Sequence, residues 1–327
     1  MLHNSLILKR FVIFFKGDKM AYGKGFGKVI LFGEHFVVSG NHAIVCGINS
    51  KTTATVEAIE GKDYELVDKR PETPGYKQEK LEQQKESLHF IFKAMNINPK
   101  EIPTRITLAG DLLAASGVGA SAASCAAIAR ALNEHFKKGL NDDQINEVAF
   151  QGELGYHGKP SGIDNTAATF GGLLWYQKGN PPKFEKMKSA GPIEIVMGNT
   201  GLIGDTKKLV LGVQERKEKN QEKYNPLFEE AEQIALKAKE AFAKGNIEEL
   251  GKLMNRNHKL LQAIEVSHPK LEELIEIARE KGAIGAKMTG GGGGGYMIAL
   301  TPGKELQEKV ASAMEKEGFH ALRTTIG

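Results

Sequence analysis

Five features of this chain have residue types and spacings that could do chemistry. They are Lys28 at the head of an apolar run, His35 just after it, the stretch Gly117-Val118-Gly119-Ala120-Ser121-Ala122-Ala123-Ser124, the carboxylates Glu153 and Asp164, and a late run of glycines from Gly290 to Gly295. The stretch at 117–124 is the most informative. Glycine lets backbone approach a ligand closely, and successive N–H groups at a helix start can surround phosphate oxygens. The helix dipole adds a positive end at the same place, and a serine hydroxyl can reach a magnesium ion that bridges phosphates. The alternative is a small-residue helix packed tightly on a sheet, and the segment alone is compatible with both. It is not a Walker loop, because Gly-x-x-x-x-Gly-Lys-[Ser/Thr] does not occur.

The two carboxylates lie in Phe150-Gln-Gly-Glu-Leu-Gly-Tyr-His-Gly-Lys-Pro-Ser-Gly-Ile-Asp-Asn-Thr166, eleven residues apart. Phosphoryl transfer uses one carboxylate on Mg²⁺ and often a second to orient or deprotonate the attacking hydroxyl. Against that, Ser161-Gly-Ile-Asp164 has the spacing of a capping box, which by itself would account for Asp164. The six glycines after Lys287-Met288-Thr289 cannot propagate a helix, at ~1 kcal/mol lost per position. Such a run between two strands implies close backbone approach, and a mobile loop. A dinucleotide site would also want an acidic residue at a strand end ~20 positions on. Glu315 and Glu317 fall in a predicted helix instead.

The elements that must carry these residues read as mixed α and β. Lys28–Val38, Ala43–Ile48 and Thr52–Ile59 have strand composition, with a turn near Gly40. A polar connection, Asp68–Lys77, leads to a helix over Glu79–Met95 and a strand at Ile102–Leu108. Helices are expected at Ala126–Phe136 and Asp142–Gly155, and a short one after Pro160-Ser161-Gly162. The chain changes character over Lys183–Pro192, which predicts an N-terminal domain of 21–188 and a C-terminal domain of 189–327. A strand at Ile193–Met197 opens the second part. Apolar residues then recur every three or four positions in Pro226–Lys244 and Ile247–Ile264, giving one buried stripe per helix. A helix over Pro269–Lys281, a strand at Tyr296–Leu300, a helix at Glu305–Glu317 and a strand at His320–Thr325 complete the pattern. Gln214–Lys223 is a charge run, most simply a solvated helix face or loop.

With 327 residues, 41% hydrophobic and 26% charged, the chain is long enough to bury a substantial core. Its net charge of +4 is spread in mixed-sign blocks, which argues against a nucleic-acid binder. Cys46 and Cys125 lie among small or apolar residues with no metal-ligand spacing, so buried free thiols in a reducing, cytoplasmic compartment are expected. Residues 1–20 hold two apolar patches split by Lys9 and Arg10, too short for a membrane span and without a signal-peptide cleavage pattern. Met20 directly precedes the first convincing element, so this extension is given no role.

Three segments, in order, resemble the sequence motifs of the galactokinase–homoserine kinase–mevalonate kinase–phosphomevalonate kinase (GHMP) superfamily. They are Gly27-Lys-Val-Ile-Leu-Phe-Gly-Glu-His35-Phe-Val-Val-Ser-Gly40, the Gly-Val-Gly-Ala-Ser-Ala loop, and Lys287-Met-Thr-Gly290 with its glycines. The wording Gly33-Glu-His-Phe-Val-Val and Pro160-Ser-Gly-Ile-Asp-Asn is similar to that of the mevalonate kinase branch. The resemblance, which runs from about Tyr22 to the C-terminus, implies an α+β two-domain kinase fold. Its N-terminal domain would be ribosomal-protein-S5-domain-2-like with a left-handed βαβ unit, its C-terminal domain ferredoxin-like, with the site between them. The implied reaction moves the γ-phosphate of ATP, with Mg²⁺, to the 5-hydroxyl of mevalonate in isoprenoid biosynthesis. By position, Asp164 would be the base or orienting residue, and Lys28 would stabilise it and the hydroxyl. His35, Lys28 and Thr206 would bind mevalonate. Gly117, Val118, Gly119, Ala120 and Ser121 would bind ATP phosphates, Gly290, Gly291 and Gly292 would shape the opposite wall, and Ser121 with Glu153 would hold the metal. The partners implied are the two substrates, with no membrane and no nucleic acid, in a monomer or homodimer.

Two departures narrow the resemblance. The proline that relatives often carry before the phosphate loop is absent, with Leu113-Ala114-Ala115 in that region, and the loop's first serine is Ala120. Other acceptors, such as phosphomevalonate or another small alcohol, keep the fold. A second phosphate would want cationic side chains around His35, where apolar and small residues stand instead. A silent, regulatory relative would lack Asp164, Lys28 or Glu153, and all three are present.

Overall fold

A computed structural model of the chain describes residues 20–72, 75–112, 117–158, 160–179 and 182–327. The expectations for residues 1–19 and for Leu113-Ala114-Ala115 lie outside them. The chain folds into two compact units built from interleaved segments: one from the described parts of 1–25, 51–114 and 120–160, the other from 26–50, 115–119 and 161–327. Strands β1 (Ala21–Phe32) and β2 (His42–Ala58) run from one set of segments into the other. The strands expected at Ala43–Ile48 and Thr52–Ile59 are thus one strand of 17 residues.

In the first unit, the later half of β2 pairs antiparallel with β4 (Thr104–Gly110), Thr52 opposite Gly110. β3 (Glu65–Asp68) pairs parallel to β4, and the crossover between them holds α1 (Tyr76–Glu79) and α2 (Leu81–Ala94). Two longer helices follow, α3 (Ala120–His135) and α4 (Asp142–His157). Asn141 starts α4 with a capping box, its side chain accepting from the Gln144 N–H while the Gln144 side chain accepts from the Asn141 N–H. Helix α3 is mostly alanine on its buried face because the strand beside it comes so close. A Cβ on Gly23 would strike the Ala127 carbonyl, and one on Gly25 the Ala123 carbonyl. Both cysteines are free and buried, as expected, and burial together with the Glu153 charge pushes the Cys125 thiol well up.

In the second unit, the early half of β2 pairs with β5 (Gly172–Gln177), and β5 with the edge strand β6 (Lys183–Lys186). Helix α5 (Ile163–Phe170) packs Ile163 and Ala167, one turn apart, into a core with Ile30, Val45, Leu174 and Tyr176. A second sheet, in the order β10-β7-β9-β8, joins β7 (Ile193–Asn199), β8 (Gly285–Met288), β9 (Tyr296–Leu300) and β10 (His320–Ile326), every neighbouring pair antiparallel. Helices α6 (Thr206–Lys219), α7 (Gln221–Lys244), α8 (Ile247–Ala263), α9 (Pro269–Glu280) and α10 (Lys304–Lys316) complete the unit. The expected stripe of α8 is present, with Leu250, Met254 and Leu261 buried and Asn257 buried among them. Each such apolar side chain contributes ~1.5–3 kcal/mol. The charge run at 214–223 closes α6 and opens α7, so it is helical. Among the described residues no helix is long and apolar enough to cross a membrane.

Candidate active site

The first unit carries Ser121 and Glu153. The helix expected from Ala126 begins earlier, at Ala120, which puts Ser121 in the first turn of α3 with the free N–H groups of the helix start. Glu153 projects from α4 and is 1% exposed. His157, one turn along from Glu153, links the two. Its Nε2 lies 3.3 Å from Ser121 Oγ and 3.8 Å from Glu153 Oε2. The i,i+4 spacing of Glu153 and His157 is a signal legible in the sequence, since residues so spaced share one helix face.

The start of α3 is also anchored from outside. Arg70, which follows β3 and is 6% exposed, donates to the Ala120 carbonyl at 3.2 Å and to Ser124 Oγ. Asp68 holds that guanidinium, accepting from Arg70 Nε at 2.9 Å and from the Gln84 amide at 3.1 Å. Burial alone would raise the Asp68 carboxyl, but the bonds and charge of Arg70 hold it below its ordinary value. Lys77 donates to the Arg70 carbonyl at 2.6 Å. A shallow depression beside Ser121 is therefore lined by Arg70, Lys77 and Lys80 together with Asp68, Gln84 and Tyr156. Sequence gave no sign of this grouping, which joins a polar connection to a helix start 50 positions away.

The second unit carries Lys28, Asp164, His35, Thr206 and the glycines. Lys28 Nζ lies 2.9 Å from Asp164 Oδ1, the lysine side chain 8% exposed and the carboxylate 33%. The capping-box alternative for Asp164 is not made. The cap of α5 is Gly162, in a left-handed conformation at φ +87°, with no side-chain cap hydrogen bond. With Ile163 and Ala167 turned into the core, Asp164 is left to meet Lys28. Gly119, at φ +72°, stands against the Lys28 side chain, and the Val118 carbonyl accepts from the Lys28 N–H at 2.8 Å. Tyr176 donates to the Ser161 carbonyl at 2.7 Å, and burial plus the Asp164 charge pushes its hydroxyl up to about 12.

His35 is not on a strand. β1 stops at Phe32, and Gly33, at φ +98°, opens a turn into a 3-10 segment, Phe36–Ser39. The chain presses so closely on Ala43 at Gly33 that a Cβ would collide there. His35 is 4% exposed, and its Nε2 lies 2.8 Å from the Gly291 carbonyl. A carbonyl can only accept, so Nε2 carries the proton and Nδ1 keeps its lone pair, buried with no hydrogen-bond partner among the described residues. Burial lowers the His35 pKa, against a smaller upward pull from the Gly291 carbonyl.

The glycine run is needed for close packing against the protein itself. A Cβ on Gly291 would strike Thr206, the first residue of α6, and one on Gly292 would strike the Val266 carbonyl. Gly290 and Gly292 both hold φ +78°. The run is tied down by Gly293 N–H to Val266 and Gly295 N–H to Leu202, at 2.9 and 2.8 Å, so it is not the loose loop its composition implied. Glu34 and Lys287 form a wholly buried ion pair beside it, a pairing over 253 positions that no local pattern signals. Among the described residues no group of three or more His, Cys, Asp or Glu side chains could hold a metal. The hydroxyl of Ser121 and the carboxylate of Glu153 are hard oxygen donors of the kind Mg²⁺ takes when most of its shell is water and phosphate.

A cation-held carboxylate, a helix start backed by basic groups and a glycine-walled histidine are the parts of a small-molecule kinase. The N-terminal domain model of the GHMP kinases matches residues 85–172 and the GHMP kinases C-terminal model matches 238–320. The mevalonate kinase of Pyrococcus furiosus is 35% identical, over 91% of this chain and 94% of that one. The crystal structure of L. major mevalonate kinase in complex with R-mevalonate is similar at a TM-score of 0.91 and 36% identity, covering 94% of this chain and 96% of that one. The Methanococcus jannaschii mevalonate kinase follows at 0.78 and 25%, covering 94% and 99%. The chain belongs to the GHMP kinases, ATP-dependent enzymes of two-domain α+β fold, and within them to the mevalonate kinase family.

Proposed function

We propose that this chain transfers the γ-phosphate of ATP to the 5-hydroxyl of mevalonate, with kinase domains of 21–188 and 189–327. The observation that carries the reading is the Lys28–Asp164 pair at 2.9 Å. Asp164 accepts the hydroxyl proton as the oxygen attacks the γ-phosphorus. The bond from that phosphorus to the β–γ bridging oxygen breaks, and ADP leaves. Lys28 holds Asp164 in place and supports the developing negative charge on the attacking oxygen. His35 and Thr206 bind the acceptor, both set against the same glycine wall. Gly117, Val118, Gly119, Ala120 and Ser121 bind the phosphates of ATP, and Gly290, Gly291 and Gly292 shape the other wall.

Ser121 and Glu153 are the residues that would hold Mg²⁺, which when bound supplies neutralisation of phosphate charge. Phe36 and Val37 beside His35 are buried and apolar, while the Arg216 charge also reaches the His35 ring, so the choice between an acceptor with and without a phosphate of its own rests on the acceptor panel. The test is ADP release by the purified chain against a panel of alcohols. Mevalonate should be the preferred acceptor; turnover of phosphomevalonate with none of mevalonate would overturn the reading.

A further inference from the structure

Lys287 has no role in the chemistry above, yet its side chain is 0% exposed, as is that of Glu34, with which it pairs. A buried ion pair adds little net stability, because removing two charges from water offsets most of their attraction. Such a pair is better suited to fixing one arrangement of the chain over others. Here the two partners lie 253 positions apart, one in the turn after β1 and the other on β8. Lys287 Nζ also donates to the Met288 carbonyl at 2.9 Å, which locks its own strand end. Two residues on, Thr289 Oγ1 donates to the Ile30 carbonyl at 2.8 Å and accepts from the Ile30 N–H at 3.1 Å. The Gly291 carbonyl then accepts from His35. The first and third sequence motifs are thus stitched at three successive points, and the middle of the turn, Glu34, is the one held by charge.

Glu34 precedes His35 directly, so fixing its carboxylate fixes the backbone from which the histidine projects. We propose that Lys287, acting through Glu34, is a positioning residue that sets the His35 ring against the glycine run, where its Nε2 meets the Gly291 carbonyl. This rests on the assignment of His35 to acceptor binding, and extends it to a residue that touches neither substrate.

The test uses Lys287→Met, Glu34→Gln and the double variant in the full chain. Each single change strands a buried charge and is expected to lower thermal stability. The double variant removes both charges and should melt near the wild type. Its acceptor KM should nevertheless rise at least ~10-fold while kcat at saturating acceptor falls less than ~3-fold, as expected when an interaction made equally in ground and transition states is lost. Hydrogen exchange should also quicken in peptides covering 33–37 and 289–295. An acceptor KM within twofold of wild type, with unchanged exchange, would overturn the proposal. So would a double variant that does not fold, since the pair would then serve stability alone. If the acceptor panel selects an alcohol other than mevalonate, KM is read for that alcohol, so the two readings fail separately.

Discussion

The two units hold their functional groups by different means. In the first, Ser121 and Glu153 ride on helices of 16 residues each, whose flanks are filled by alanine and glycine contacts. Position follows from helix geometry, and one external group, Arg70, fixes where α3 begins. In the second, Lys28 lies within β1 and Asp164 in the first turn of α5, while His35 and Gly290–Gly292 belong to turns. Turns do not hold themselves, so this region uses long-range tethers: Thr289 to Ile30, Lys287 to Glu34 and His35 to Gly291. Groups carried on a helix take their place from it, and groups carried in turns are set by contacts between segments far apart in the chain.

The largest effect that could break this contrast lies in the second unit. Asp164→Asn should lower kcat by about a thousandfold, within the range for loss of a general base, with ATP affinity nearly unchanged. Steady-state rates and a nucleotide titration check both parts, and surviving turnover would remove Asp164 from the role of base. Glu153→Gln should act differently. It should reduce activity ~10–100-fold, the loss seen when groups supporting a metal site are removed, and raise the Mg²⁺ concentration needed for half-maximal rate. An unchanged Mg²⁺ requirement would take Glu153 out of the metal site.

Smaller effects concern the scaffold. Gly291→Ala should cost ~1–3 kcal/mol by overpacking against Thr206, measured by denaturant unfolding. A neutral result would mean that the tethered region yields more readily than its contacts imply. The smallest expected effect is on acid stability in the first unit. The folded carboxyl of Asp68 is held below its ordinary 3.8, so its contribution is fully present above that value and is lost as pH falls through the lower folded value. Asp68→Asn should therefore lower the melting temperature near pH 6, and the gap to wild type should narrow as pH falls below 3.8.

How much of this was legible in sequence follows the same division. Helices α4, α8 and α9 came within two residues of their observed bounds, because periodic burial writes itself into composition, whereas α7 starts five residues before the expected Pro226. The start of α3 was missed by six residues, since alanine and serine suit a helix and a loop alike. The run Lys28–Val38 reads as one strand because every side chain but those of Gly33, Glu34 and His35 is strand-like. Only the backbone at Gly33 breaks it, and with it goes the true setting of His35. The partners of Arg70 and Lys287 left no local trace, for they lie where periodicity cannot reach.

The interleaving of the two units bears on how the chain is made. The first unit is not complete until residue 160 has been synthesised, although two of its strands are finished far earlier. The second needs residues 26–50 from the start of the chain and 161–327 from its end. At ~5–20 residues per second, those early strand segments wait on the order of ten seconds or more for their partners to leave the ribosome. A nascent chain arrested shortly before residue 160 should expose the apolar faces of β1 and β2 and bind a chaperone, whereas one released at 327 should not.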